Sequence, residues 1–297
     1  AMGWGKISVG FPWFNKMFLA LTPFLALFMG VGQITRWKHD EAGRLVKELW
    51  IPFLLSVGVA IAAILVPDVV AGGSLLVPLG LGLAAWVLFS HLVGLWERLR
   101  HKQGIKGIAT DMGSGGRSYY GMLLAHLGIG MFIVGATMVS NFGSEKDVRM
   151  SPGDVHEAAG YSFKFEGVET VAGPNYRAAK GRFLVIQDDK QIAVLEPEKR
   201  TYLVSSKPMT EAAIDWGFTR DLYVSLGEPV GGGDWALRIY YKPFVRWIWL
   251  GAVLMALGGI LAVTDRRYRT HSRKVKVPAG AATASTRAMS QSFNSLA

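Results

Sequence analysis

Apolar residues gather into five long runs, roughly 17–34, 50–66, 75–96, 119–140 and 244–264, with the polar residues filling the intervals between them. A helix rising about 1.5 Å per residue needs roughly 20 apolar residues to cross hydrocarbon, so these runs predict five transmembrane helices. The intervals differ in charge. Arg36, Lys38, Arg44 and Lys47 separate the first run from the second, and no Lys or Arg separates the second from the third. Arg98, Arg100, Lys102, Lys106 and Arg117 lie between the third and fourth, and Arg266, Arg267 and Arg269 follow the fifth. The positive-inside tendency puts these three basic stretches in the cytoplasm, and the chain start and the interval 141–243 outside.

That interval has a different period. Tyr161, Phe163 and Phe165 alternate with Ser162, Lys164 and Glu166, as in a strand buried on one face. Gly173-Pro174-Asn175, Asp188-Asp189 and Gly231-Gly232-Gly233-Asp234 supply turns between further runs at 182–187, 201–204 and 235–241. The expected fold is an α-helical polytopic membrane protein with an inserted all-β domain, a sandwich or small barrel. In chain order it has an external segment 1–16, four membrane helices within 17–140, the β domain 141–243, a fifth helix 244–264 and a basic tail 265–297, which is expected to be disordered. Gly113-Ser114-Gly115-Gly116 lacks the strand and the Gly-Lys-Ser/Thr ending of a phosphate loop and reads as a connector.

The 297 residues are 51% hydrophobic and 18% charged, as a membrane protein requires. With no cysteine, disulfides, thiolate metal sites and iron–sulfur clusters are excluded, so redox chemistry would need a bound cofactor. The net charge of +10 does not indicate nucleic-acid binding, because the polar interval 141–243 carries thirteen Lys/Arg against fifteen Asp/Glu. The basic excess lies mostly beside membrane segments. Ala1-Met2-Gly3 opens without a basic region and apolar core, and reads as a chain begun in its middle.

One ionisable group stands inside the fourth run. His126 lies about 10 Å along the helix from Tyr119, with Met122, Ile129 and Gly130 on its face. An ionisable side chain at that depth is costly unless it faces protein, water or a ligand. Neutral imidazole is a common axial ligand of iron, and Gly130 leaves room for a flat macrocycle, or equally for a neighbouring helix. His91, near the end of the third run, either snorkels toward Glu97 or shares a leaflet with His126 as an internal bis-histidine pair, which makes it a minor candidate for cofactor binding. His39, His101 and His271 fall in basic segments, and His156 has no second metal ligand nearby. Phe11-Pro12-Trp13-Phe14 and Arg246-Trp247-Ile248-Trp249 read as an interfacial aromatic belt rather than a cofactor platform. The carboxylates of Glu211, Asp215, Asp221 and Glu228 show no acid/base spacing, and no Ser-His-Asp arrangement is legible.

The run 209–215 (Met-Thr-Glu-Ala-Ala-Ile-Asp), then Arg220-Asp221-Leu222-Tyr223, Leu226-Gly227-Glu228 and Trp235-Ala236, resembles the C-terminal half of the CcmF family, the heme lyase subunit of cytochrome c maturation. The run 241–249 (Tyr-Lys-Pro-Phe-Val-Arg-Trp-Ile-Trp), Ile7-Ser8-Val9-Gly10, Gly173-Pro174-Asn175-Tyr176 and Leu124-Ala125-His126-Leu127-Gly128 continue the likeness, which covers about 3–270. The resemblance implies a bacterial inner-membrane protein with the β domain periplasmic and the C-terminus cytoplasmic. It implies receipt of heme from a periplasmic heme chaperone and, with apocytochrome-handling subunits, its attachment to apocytochrome c. It also implies a separate heme b, with His126 as one of its two axial ligands to the iron. The other axial histidine, the tryptophan-rich heme-handling motif and two external histidines belong to the family's N-terminal half. The fragment by itself is therefore expected to be inactive.

Two other classes compete with that reading. A non-catalytic membrane-anchored assembly module would present the β domain to partners, with His126 merely structural. A solute transporter is disfavoured, since the predicted spans carry no carboxylate and no paired unwound helices.

Overall fold

The computed structural model describes residues 10–36, 40–67, 69, 74–101, 107, 110–111, 116–204 and 206–265. The tail beyond Asp265, His39, His271 and Gly113 to Gly115 lie outside them. Among the described residues are five long helices: α1 (Phe11–Gly32), α2 (Ala42–Ile64), α3 (Leu76–His101), α4 (Arg117–Phe142) and α5 (Val245–Val263). Each is long and apolar enough to cross a membrane.

The helices begin earlier than the apolar runs suggest. α1 starts at Phe11, inside the expected external segment 1–16, and α2 starts at Ala42 rather than 50. Arg44 and Lys47, expected in the connection, are therefore helical. Arg44 is held within its own turns by Asp40 and Glu48, each at 2.6 Å, and donates to Ile34 O at 2.9 Å. Pairs four residues apart stabilise a helix end at the membrane boundary although they lower its hydropathy.

α3 is the centre of the bundle, with α1 and α2 packed on one side and α4 on the other, while α5 packs on α4. Trp86 of α3 lies over Gly30 of α1 and donates its indole N–H to Leu27 O at 3.0 Å. Between α4 and α5 the contact is backbone to backbone. A Cβ added at Gly128 would lie 2.5 Å from Gly251 O, and one at Gly121 would lie 2.5 Å from Gly258 O. Small residues allow this approach where lipid offers no hydrophobic drive for helix association. Asp265, fully buried, accepts the Ser118 N–H at 2.9 Å, which brings a carboxylate to the positive end of α4.

The interval between α4 and α5 folds into two antiparallel sheets. One has the order β1 (Ser144–Met150), β10 (Asp234–Pro243), β9 (Arg220–Gly231), β8 (Ala213–Trp216). The other runs β2 (Val155–Ala158), β3 (Tyr161–Ala172), β4 (Tyr176–Gln187), β6 (Glu198–Tyr202), β7 (Pro208–Glu211), with β5 (Lys190–Leu195) also paired to β4. Phe163, Phe165, Phe183 and Val185 from one sheet meet Leu222, Val224, Leu237 and Ile239 from the other, all buried in one core. Alternating side chains from two facing sheets fill a sandwich in this way. Asp188 and Asp189, both at positive φ, form the two-residue turn of the β4–β5 hairpin. On the surface, the Ser151 hydroxyl and the Arg149 guanidinium hold the Asp234 carboxyl below its usual range. β4 is longer than the expected 182–187, and β6 ends before the expected Val204, which lies in the following turn.

The sandwich is an insertion in one antiparallel helix pair. α4 passes through Gly143 into β1, and β10 passes through Phe244 into α5, with Ser144 paired to Tyr241. Phe244 takes the left-handed conformation at φ 53 and donates its N–H to Thr219 O at 2.8 Å. One residue therefore turns strand into helix, and β1/β10 and α4/α5 continue one another without a linker.

Candidate functional site

α3 and α4 bring together the two histidines within the apolar spans. Nε2 of His91 lies 2.5 Å from Nδ1 of His126, and the rings meet edge to face with centroids 4.6 Å apart and an interplanar angle of 88°. His91 thus turns inward to His126 rather than outward toward Glu97. His91 is 4% exposed, and its Nδ1 is 2.5 Å from Val87 O, one turn back on α3. The pair cannot straddle one metal ion: that would need two ring nitrogens separated by roughly twice a metal–nitrogen bond of about 2 Å. Here the two nitrogens share a hydrogen bond.

The outer nitrogen of His126, Nε2, has no hydrogen-bond partner among the described residues. The ring lines a groove of about 270 Å³ whose other walls include Leu88, Phe89, Gly130, Met131 and Trp247. A Cβ added at Gly130, itself buried, would meet nothing closer than Ala84 O at 3.8 Å, an ordinary van der Waals contact, so there is room for a small group beside the imidazole. His126 stands sixteen residues from Phe142, about 24 Å along the axis from the sandwich. An apolar groove with one unpartnered imidazole nitrogen suits a flat, mostly apolar ligand with one metal coordination position. A heme iron meets those terms, and His126 is the residue here that would hold it.

The remaining candidates do not join this site. Asp215 pairs with Arg220, Asp221 with Arg246 at 2.9 Å, Glu228 with Lys199, and Glu211 with Arg200 at 3.4 Å. Each of the four carboxylates thus has a structural partner. His156 sits on β2 opposite Phe163 with its Nε2 buried and unbonded, and no group of three metal-ligating side chains occurs among the described residues. Trp249 is exposed, as an interfacial residue would be. Trp247 donates to Phe218 O at 3.1 Å and also lines the His126 groove, which its place in the aromatic run did not suggest. The sequence reading also missed Gln33 and Tyr119, whose side-chain polar atoms are buried without a hydrogen bond near Gly94. Arg98 stacks 4.2 Å over the Tyr119 ring and pairs with Asp111 at 2.6 Å.

These features define a class: a polytopic membrane protein whose helix bundle holds an imidazole site and whose last helix pair carries an inserted β-sandwich. Residues 141–243 match the family described as CcmF C-terminal beta-sandwich. The chain is 46% identical over 276 residues to the cytochrome c-type biogenesis protein CcmF of Pseudomonas aeruginosa, covering 91% of this chain and 40% of that protein. It is 42% identical over 273 residues to the CcmF of Escherichia coli, covering 90% of this chain and again 40% of the relative. A solved structure described as Cytochrome c Heme Lyase CcmF shares the fold at a TM-score of 0.71 and 18% identity, covering 86% of this chain and 41% of that one. The chain belongs to the CcmF family and corresponds to its C-terminal part, spanning about 40% of the length of these curated relatives.

Proposed function

We propose that this chain is the C-terminal portion of a heme lyase of cytochrome c maturation and that His126 is one axial ligand of a heme b held within the membrane. The observation that carries this is that His126 lines an apolar groove and that its Nε2 has no hydrogen-bond partner among the described residues. His126 would bind, Gly130 would leave room for a small group beside the ring, and Leu88, Phe89 and Met131 would supply apolar walls. When bound, the heme supplies one-electron transfer that keeps incoming heme iron reduced. The second axial ligand and the attachment site are assigned to the part of the relatives that this chain does not span. The sandwich is assigned the docking of a periplasmic heme chaperone, apocytochrome-handling subunits or apocytochrome c, because its strands continue directly into the α4/α5 pair.

The test is the reduced-minus-oxidised spectrum of the protein purified together with that remaining part. Wild type is expected to show a b-type signal that His126→Ala loses and His156→Ala keeps. An unchanged signal in His126→Ala would instead favour the anchoring module with a structural histidine.

The location follows the charge pattern, with the sandwich periplasmic and the α1–α2 connection cytoplasmic in a bacterial inner membrane. Because the chain has no cysteine, single-cysteine labelling is direct. A membrane-impermeant maleimide added to spheroplasts is expected to label Asp189→Cys on the β4–β5 turn and to spare Glu41→Cys before α2. The reverse pattern would invert the topology.

A further inference from the structure

A single carbonyl dictates the hydrogen positions of both imidazoles. Val87 O can only accept, so Nδ1 of His91, 2.5 Å away, carries a hydrogen. In a neutral ring the other nitrogen is then a lone-pair acceptor, and this Nε2 faces Nδ1 of His126 at 2.5 Å. Nδ1 of His126 must therefore donate. Its lone pair is then left on Nε2, the nitrogen with no partner among the described residues, on the ring that lines the groove. The order Val87 O, His91, His126, groove is fixed from the first atom to the last. Reversing either tautomer would set lone pair against lone pair, or two hydrogens against each other, in a buried contact.

We infer that His91 is a positioning residue: it sets the tautomer and ring orientation of His126 so that Nε2 presents its lone pair to the iron. This rests on the reading of His126 as a heme ligand and adds the residue that makes it one. His91 is not itself a ligand, because both of its nitrogens are engaged, one by Val87 O and the other by His126. Its effect on the metal follows from the direction of the bond. Donation from Nδ1–H of His126 to His91 makes the ligating ring more basic, which favours the more highly charged oxidation state of the iron.

The test uses the protein with the remaining part of the family's length, and reads heme retained per protein and the midpoint potential of the b-type signal. His91→Phe, which fills the space but accepts nothing, is expected to weaken heme retention about 10–100-fold and to raise the potential. Each tenfold change in the preference between oxidation states corresponds to about 59 mV for one electron. His91→Gln, whose amide oxygen accepts, is expected to bring both values back toward wild type. His91→Glu, a stronger acceptor, is expected to move the potential below wild type, and it keeps the test decisive if the Phe variant does not fold. Retention and potential unchanged across Gln and Glu, and across Phe where it folds, overturn the inference while His126→Ala still loses the signal. If His126→Ala keeps the signal, the ligand reading itself falls.

Discussion

Free imidazole is expected to restore the b-type signal to a His126→Gly variant. Removing the side chain opens a space beside Gly130, where nothing lies closer to an added Cβ than Ala84 O at 3.8 Å. The acceptor that oriented the native ring, Nε2 of His91, stays in place to orient a diffusible one. Without imidazole the loss of bound heme is expected to exceed the roughly 10–100-fold that removal of an outer hydrogen-bond partner produces, because the coordinating atom itself is gone. With imidazole the signal should return in proportion to its concentration. 1-Methylimidazole, whose methylated nitrogen cannot donate to His91, should rescue less well. If the histidine only filled space between helices, a small soluble base would restore structure no better than methylated or non-basic analogues of its size. Equal rescue by all of them, or by none, would remove the ligand role from His126.

The parts of the molecule that were legible beforehand are those governed by local pattern. Five apolar runs give five helices, and the alternation at Tyr161, Phe163 and Phe165 gives β3 with both phenylalanines fully buried. Errors fall where a local rule meets a tertiary or interfacial one. α2 extends back to Ala42 because Arg44 finds Asp40 and Glu48, a pairing that average hydropathy counts only as lost apolarity. β4 extends back to Tyr176 because Arg177 and Lys180 sit opposite Thr201 and Glu198 on β6, where charge is tolerated on a solvated face.

The histidine pair shows a different limit. His91 and His126 are thirty-five positions apart, and no single helix says whether they share a face; their meeting depends on the rotation and axial register of α3 against α4. The α4–α5 contact did leave a mark. Gly121, Gly128 and Gly135 recur every seventh position on one helix, and Gly251 and Gly258 recur at the same interval on the other. Read as a small-residue stripe, that spacing would have identified the tightest pair in the bundle. It would also have indicated which side of α4 was taken up by a helix and therefore not the one left for a ligand.

Two adjacent glycines on α5 turn that stripe into a quantitative test. A Cβ at Gly258 would strike Gly121 O, Ala125 N at 2.6 Å and Ala125 Cα at 2.9 Å, all backbone, whereas one at Gly259 would meet nothing within 4 Å. Alanine in place of glycine favours a helix by about 0.8–1.0 kcal/mol at either position. At Gly258 the opposing term is overpacking, about 1–3 kcal/mol where side chains can adjust, and here the atoms in the way belong to a helix that cannot rotate aside. Packing therefore wins at Gly258 and propensity at Gly259. Thermal unfolding in detergent is expected to show Gly258→Ala destabilised and Gly259→Ala unchanged or slightly stabilised, with Gly128→Ala following Gly258→Ala because its Cβ would meet Gly251 O at 2.5 Å and Met255 N at 2.9 Å. Gly128 also sits two residues from His126 on the helix pair that continues into β1 and β10, so forcing α4 from α5 should disturb the imidazole site as well as stability. Equal melting of the Gly258→Ala and Gly259→Ala proteins would mean that the two helices do not meet along this stripe.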